Sequence, residues 1–225
     1  MTRFKELCMD TAEDGTGLGR FWAAATGCSF AEPSAGDSED PGDVVGEVEG
    51  MGIAMCRVPE KKTVKHRVHL DLHTDSVDAL LTLGATRAPG YDADDPWTVL
   101  LDPEGGELCA FERDDVPAYK VYELVVDAVD PERIARWWAD VFEVEPVNEG
   151  RAYWWIEGVP GMPFESMVFD PVPEPKTVKN RLHWDVYGDV GELLAKGATH
   201  RWDQPRWTVL ADPEGNEFCV FPEGR

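Results

Sequence analysis

The chain has 225 residues, 43% of them hydrophobic, and 44 acidic against 21 basic side chains give a formal net charge of −23. That length supports one large core or two modest ones, and the acidity opposes contact with phosphate backbones and anionic lipid, which excludes nucleic acid and membrane surfaces as partners. There is no run of about 18 apolar residues for a transmembrane helix, and Met1 to Asp10 lack the basic start and apolar stretch of a secretory signal, so a cytoplasmic location is expected.

In chain order, Arg20-Phe21-Trp22 is the first notable token, because Arg136-Trp137-Trp138 echoes it. Asp37, Glu39, Asp40, Asp43, Glu47 and Glu49 follow in a Gly/Pro/Ser-containing stretch that reads as a solvated loop. Val58 to Leu72 (VPEKKTVKHRVHLDL) matches Val172 to Val186 (VPEPKTVKNRLHWDV) at ten of fifteen positions. Trp97 to Phe111 (WTVLLDPEGGELCAF) matches Trp207 to Phe221 (WTVLADPEGNEFCVF) at eleven of fifteen. The chain is therefore a tandem repeat, with a longer loop around Gly90 to Asp95 in the first copy and a boundary near Asp114 to Ala118. Each copy reads as a complete domain, 1–115 and 116–225.

In the second copy, Tyr122 to Val126 is an apolar strand. Pro131 opens a helix over Glu132 to Val141. Tyr153 to Ile156, Ser166 to Phe169 and Arg181 to Tyr187 read as strands. Val190 to Lys196 is a short helix stopped by Gly197. Trp207 to Ala211 and Glu217 to Phe221 form a hairpin about DPEGN. The pattern is βαβββ twice per copy. Alternation points Leu182, Trp184 and Val186 under helices and Arg181, His183, Asp185 and Tyr187 to the other face. In the first copy Arg67, His69, Asp71 and His73 alternate likewise with Val68, Leu70 and Leu72. A polar, His-bearing face suits a sheet that lines a cavity.

The His69-Leu70-Asp71-Leu72 strand, the Gly-Ala-Thr after the second helix (Gly84 to Thr86, Gly197 to Thr199) and the Asp-Pro-Glu-Gly hairpins resemble the glyoxalase/bleomycin-resistance/extradiol-dioxygenase superfamily, the vicinal-oxygen-chelate fold. They look most like small glyoxalase-like actinobacterial proteins. The resemblance covers nearly the whole chain. It implies an α+β fold of two tandem glyoxalase-like domains, each of paired βαβββ modules forming a curved mixed sheet, a cup, with helices outside. It also implies a divalent cation held by up to four residues from first and last strands, usually His and Glu. Carried over, the first-strand position falls on Glu6 and Glu123, the position closing the first module near Cys56 and on Asp170, the third on His69 and His183, and the last on Cys109 and Cys219. Both copies thus lack the carboxylate after the hairpin. The second keeps Glu123, Asp170 and His183, a set suited to Mn²⁺, Fe²⁺ or Zn²⁺ that would polarise a substrate oxygen.

Other residues carry two readings each. His69 and His183, two positions from Asp71 and Asp185, are oriented bases or ligands, or structural members of the cavity wall. Lys62, Lys65 and Arg67, with Lys176, Lys179 and Arg181, form an anion-binding rim or pair with nearby acids such as Glu60 and Glu174. Trp97 and Trp207 read as core. Tyr153, Trp154 and Trp155 have no counterpart in the first copy, and at least one should face the cup, which places the ligand site in the second copy. The five cysteines are widely spaced with no CxxC pair, which favours reduced thiols over a disulfide framework or a structural zinc site. Cys109 and Cys219 read as small buried side chains, with Cys219 within reach of His183 if the strands adjoin.

The expected function is binding of a small organic ligand in the cup, without the usual metal site, by His183, Asp185, Trp155, Tyr153, Arg181, Cys219 and His69. The acidic surface would favour cationic ligands. The alternative is a metal-dependent lyase, isomerase or dioxygenase using Glu123, Asp170 and His183. A third possibility makes one copy a scaffold for the other, since the tandem resembles a fused dimer, so that the protein is a monomer with an internal pseudo-dimer or a homodimer.

Overall fold

The computed structural model describes residues 1–12, 16–37, 39–90 and 95–223. The first copy's inserted loop falls mainly on 91–94, outside the described residues. Four βαβββ modules follow one another. The first is β1 (Arg3–Thr11), α1 (Thr16–Thr26), β2 (Ser29–Ala31), β3 (Asp43–Val45) and β4 (Ile53–Arg57). The second is β5 (Val68–Thr74), α2 (Val77–Leu83), β6 (Thr86–Arg87), β7 (Thr98–Leu101) and β8 (Glu107–Glu112). The third is β9 (Val121–Ala128), α3 (Pro131–Phe142), β10 (Pro146–Val147), β11 (Trp154–Glu157) and β12 (Ser166–Pro171). The fourth is β13 (Leu182–Tyr187), α4 (Val190–Ala195), β14 (Thr199–Asp203), β15 (Thr208–Ala211) and β16 (Glu217–Phe221). No described helix is long and apolar enough to cross a membrane.

Local chemistry sets these elements. Asp130 caps α3 by accepting from the Arg133 amide at 3.1 Å, Pro131 takes the first helical position, and Glu132 lies in the first turn. The buried stripe of α3, Ile134, Ala135, Trp138, Ala139, Val141 and Phe142, repeats at helical spacing. Ser76 caps α2, which ends at Gly84 with φ of 115°. The acidic stretch read as a loop contains β3, where the Asp43 carboxylate accepts from the Met55 amide at 2.9 Å.

The four modules make two eight-stranded mixed sheets of α+β class. Sheet A runs β14-β15-β16-β13-β1-β4-β3-β2 and sheet B runs β10-β11-β12-β9-β5-β8-β7-β6. Modules pair two to a sheet, but not within a copy as the repeat suggests: the first joins the fourth, and the second joins the third. Sequence copies 1–115 and 116–225 each send one module to each sheet. The central ladders are antiparallel, with Cys8 opposite His183 in sheet A and Val125 opposite His69 in sheet B.

The repeated segments 58–67 and 172–181 explain this exchange, because they are the crossovers between sheets. They grip each other's copy. Arg67 donates to the carbonyls of Glu174 at 2.6 Å and Asp127 at 2.8 Å, and Arg181 donates to those of Glu60 at 2.6 Å and Asp10 at 3.1 Å. Lys65 pairs with Asp127 at 2.6 Å and Lys179 pairs with Asp10. Within a copy, modules meet through their helices instead. Trp138 of α3 packs edge-on against Trp184 and Phe218 of sheet A, both with centroids 5.0 Å away. One apolar cluster therefore runs between the convex faces of both sheets, and Trp22, Trp138 and Trp184 are among its fully buried members.

The Asp-Pro-Glu-Gly hairpins lock this layer. Asp102 accepts from the amides of Glu104 at 2.9 Å and Gly106 at 2.7 Å, and from the Trp22 indole at 3.2 Å. Asp212 does the same with Glu214 and Asn216, both at 2.9 Å, and Trp138 at 3.2 Å. Burial pushes both carboxyls up to about 6.

Candidate functional site

The concave face of sheet A holds a cavity of about 610 Å³ lined by strands from both copies. Alternation along β13 directs His183, Asp185 and Tyr187 into it, while Trp184 is fully buried on the helix side. On β1 the ladder register shifts between Phe4 and Glu6. This bulge lets neighbouring Lys5 and Glu6 both face the cavity, while Phe4 and Leu7 are both fully buried in the core. β4 contributes Ala54 and Cys56, and β16 contributes Cys219 and Phe221. Trp207 stacks on Phe221 at the rim, with ring centroids 5.3 Å apart.

The floor is polar and buried. His183 is 6% exposed and Asp185 4% exposed. Burial, reinforced by Lys179, holds the His183 imidazole down at about 3, so it is neutral near pH 7. Burial lifts the Asp185 carboxyl to about 6 against the pull of Lys5, whose ammonium lies 3.9 Å away. Burial and Asp185 push the Cys219 thiol up. His183 Nε2 lies 3.4 Å from Cys219 Sγ and 3.8 Å from Asp185 Oδ1. His183 Nδ1 and Asp185 Oδ1 are buried with no hydrogen-bond partner. Buried polar atoms left unpaired cost about 1–3 kcal/mol each, so these two are unusual features of the floor.

Donor spacing also suits a metal ion. Among the described residues, two sets of His, Cys, Asp or Glu bring ligating atoms within 4.8 Å of one another: His183, Asp185 and Cys219, and His69, Asp71 and Cys109. A tetrahedral ion with bonds of about 2.0–2.3 Å separates its ligands by roughly 3.3–3.8 Å, which the two His183 distances match. The donors would have to be thiolate, neutral imidazole and carboxylate, a set that favours zinc over magnesium or calcium.

Sheet B carries the pseudo-equivalent strand positions with different side chains. Val125 and Val168 stand where sheet A has Cys8 and Ala54. Tyr122, at the position of Lys5, packs on His73 and Phe111 with centroids at 4.4 and 5.4 Å. These positions are richer in acid: Glu123 accepts from the Ser166 hydroxyl at 2.7 Å, and burial followed by Glu123 pushes the Asp71 carboxyl well up. His69 is held down at about 3, mainly by burial.

The structure therefore divides the residues singled out in the sequence. His183, Asp185 and Cys219 meet in sheet A. His69, Glu123, Asp170, Tyr153 and Trp155 belong to the sheet B side, Trp155 pairing with Val168 and touching the Tyr153 ring at 5.7 Å. Glu123, Asp170 and His183 thus do not converge, because the copy that supplies His183 sends its other module to the opposite sheet. Arg181 is not in the cup. It lines a second cavity of about 620 Å³ between the crossovers and pairs with Glu104 at 3.1 Å. Of the two readings of the basic residues, the structure shows the pairing with acids: besides the crossover pairs, Lys62 and Lys176 bind Glu107 and Glu217, each at 2.8–2.9 Å. Trp97 and Trp207 are not core: Trp207 lines the sheet A cavity and Trp97 is 36% exposed. Sequence reasoning missed Cys8, Lys5, Ala54 and the Trp207–Phe221 wall. Alternation from Glu6 through Cys8 to Asp10, regular after the bulge, was the available signal for Cys8, whereas the bulge itself hides Lys5.

A family model, the glyoxalase-like domain, matches residues 6–111 and 123–221. No curated protein sequence matches the chain. Among solved structures, glyoxalase I from Zea mays superposes with TM-score 0.69 at 11% identity, over 99% of this chain and 92% of that one. A putative dioxygenase from Bacillus subtilis superposes with TM-score 0.65 at 10% identity, over 99% and 86%. At such identities the likeness shows the fold. With both repeats matched, the chain belongs to the glyoxalase-like domain family of the vicinal-oxygen-chelate superfamily.

Proposed function

We propose that the protein binds a small organic ligand in the cup of sheet A, with a planar apolar part against Trp207 and Phe221 and a cationic or hydrogen-donating group on Asp185. The observation that carries this reading is the buried, unpartnered Asp185 Oδ1 at the floor of a cavity of about 610 Å³. An incoming donor satisfies that oxygen in a buried setting where charge-assisted bonds are strong. The net charge of −23 attracts cations over distance.

The test uses a planar aromatic cation, 9-aminoacridine, and a matched anion, 9-anthracenecarboxylate, in fluorescence titrations. The cation should bind with one-to-one stoichiometry and lose at least tenfold in affinity in Asp185→Asn, with the anion binding weakly or not at all. Equal binding of both probes, or no effect of Asp185→Asn in a folded variant, would refute the reading.

Donor spacing favours a second reading, in which His183, Asp185 and Cys219 hold a divalent ion, zinc above manganese or iron. Such an ion, when bound, supplies a Lewis acid for a substrate oxygen. His183 would then offer its neutral imidazole and Asp185 its carboxylate. Elemental analysis of the purified chain separates the two: about one metal per chain, lost in His183→Ala, supports the second reading.

A further inference from the structure

We propose that Cys8 and Cys56 are a reversible dithiol–disulfide pair in the wall of the sheet A cup, oxidised by a hydroperoxide or a low-molecular-weight disulfide. The two cysteines sit on neighbouring parallel strands, where Cys8 registers with Ala54 and Asp10 with Cys56. Positions two apart share a face, so both side chains point into the cup. Their sulfurs lie 2.9 Å apart and both line the cavity. Closing that gap to the roughly 2.05 Å of a disulfide needs a shift of under an ångström.

The pairing is specific to this site. Cys28 directs its sulfur to the Met51 carbonyl, and Cys219 lies 3.4 Å from His183. Cys109 is in sheet B beside Asp71. The pseudo-equivalents of Cys8 and Cys56 in sheet B are Val125 and Asp170, so the repeat itself does not impose two thiols here.

Roles divide by exposure. Cys56 is half-buried and meets solvent through the cavity, while Cys8 is buried. The Cys56 thiolate attacks the peroxide oxygen, the O–O bond breaks, and a sulfenic acid forms as the alcohol or water leaves. Cys8 then attacks that sulfur, the S–O bond breaks, the S–S bond forms, and the Cys8 proton leaves with hydroxide as water. In sum, two thiols and one hydroperoxide give one disulfide, one alcohol and one water. With a small disulfide as oxidant, Cys56 forms a mixed disulfide and Cys8 displaces the second thiol. Cys8, enclosed behind Cys56 with its sulfur 2.9 Å away, takes the resolving role by position. On the ligand reading above, the bond would alter the wall beside Ala54 and so tune binding.

The full chain would be treated with hydrogen peroxide, and separately with oxidised glutathione, then digested without reduction and analysed by mass spectrometry. Cys28 and Cys56 share one tryptic peptide, so the Cys28→Ser variant is run in parallel. The expected result is a Cys8–Cys56 cross-link that is two hydrogens lighter, reversed by dithiothreitol, absent in Cys56→Ser and kept in Cys219→Ser. Linkage of Cys8 to Cys219, over-oxidation of both thiols without a bond, or stoichiometric zinc shielding them in the purified chain would overturn the proposal. These readouts do not involve ligand, so failure here is separable from failure of the binding reading.

Discussion

Arg181 of the second repeat donates to the backbone carbonyl of Glu60 in the first at 2.6 Å, and Arg67 makes the mirror contact to Glu174 at the same distance. These guanidinium groups clamp the two crossovers. Arg181 also binds the Asp10 carbonyl and the Glu104 carboxylate, and it is nearly buried while doing so. Replacing Arg181 with Ala strands these acceptors and is expected to cost about 2–4 kcal/mol. Lys, a point charge without the planar fork, should recover only part of that. Urea denaturation of the three proteins checks this.

Ala54 offers a test of the cup without touching its polar floor. Its counterpart in sheet B is Val168, so a larger side chain is tolerated at that register. Ala54→Leu should fill part of the cavity and weaken 9-aminoacridine binding by at least tenfold, with a melting temperature within a few degrees of the parent. Unchanged binding would place the ligand elsewhere.

His66 gives a pH signature. Burial holds its imidazole down at about 4 in the folded chain, against 6.5 for the free group. Between these values the unfolded chain binds a proton that the folded chain refuses. This contribution to stability is fully present above pH 6.5 and is lost as pH falls toward 4. Relative to His66→Gln, the parent should lose about 1 kcal/mol of unfolding free energy per pH unit across that window. Denaturation curves at pH 4.5, 5.5 and 7.5 measure the difference.

The periodicities that made the fold legible are local. Leu182, Trp184 and Val186 alternate with His183, Asp185 and Tyr187, and that pattern names the buried face correctly. Pro131 and Gly197 mark helix ends, and the doubled repeats fix the module count. Alternation says which way a side chain points but not which strand lies alongside. Partner exchange between copies was therefore invisible, and the set Glu123, Asp170 and His183 looked coherent in sequence while lying in two sheets. The aromatic run Tyr153 to Trp155 lies on the sheet B side, apart from His183, for the same reason. Lys5 was hidden by the bulge after Phe4, which breaks the two-residue period where the site begins, while Cys8 follows it in regular alternation with Glu6.

The most direct measurement is complementation of the two repeats. Residues 1–115 and 116–225 would be produced as separate chains, refolded alone and together, and titrated with 9-aminoacridine. Because Cys8, Ala54 and Cys56 come from one half and His183, Asp185 and Trp207 from the other, the account predicts parent-like binding only in the one-to-one mixture. Full affinity in 116–225 alone would contradict a site built across the repeats.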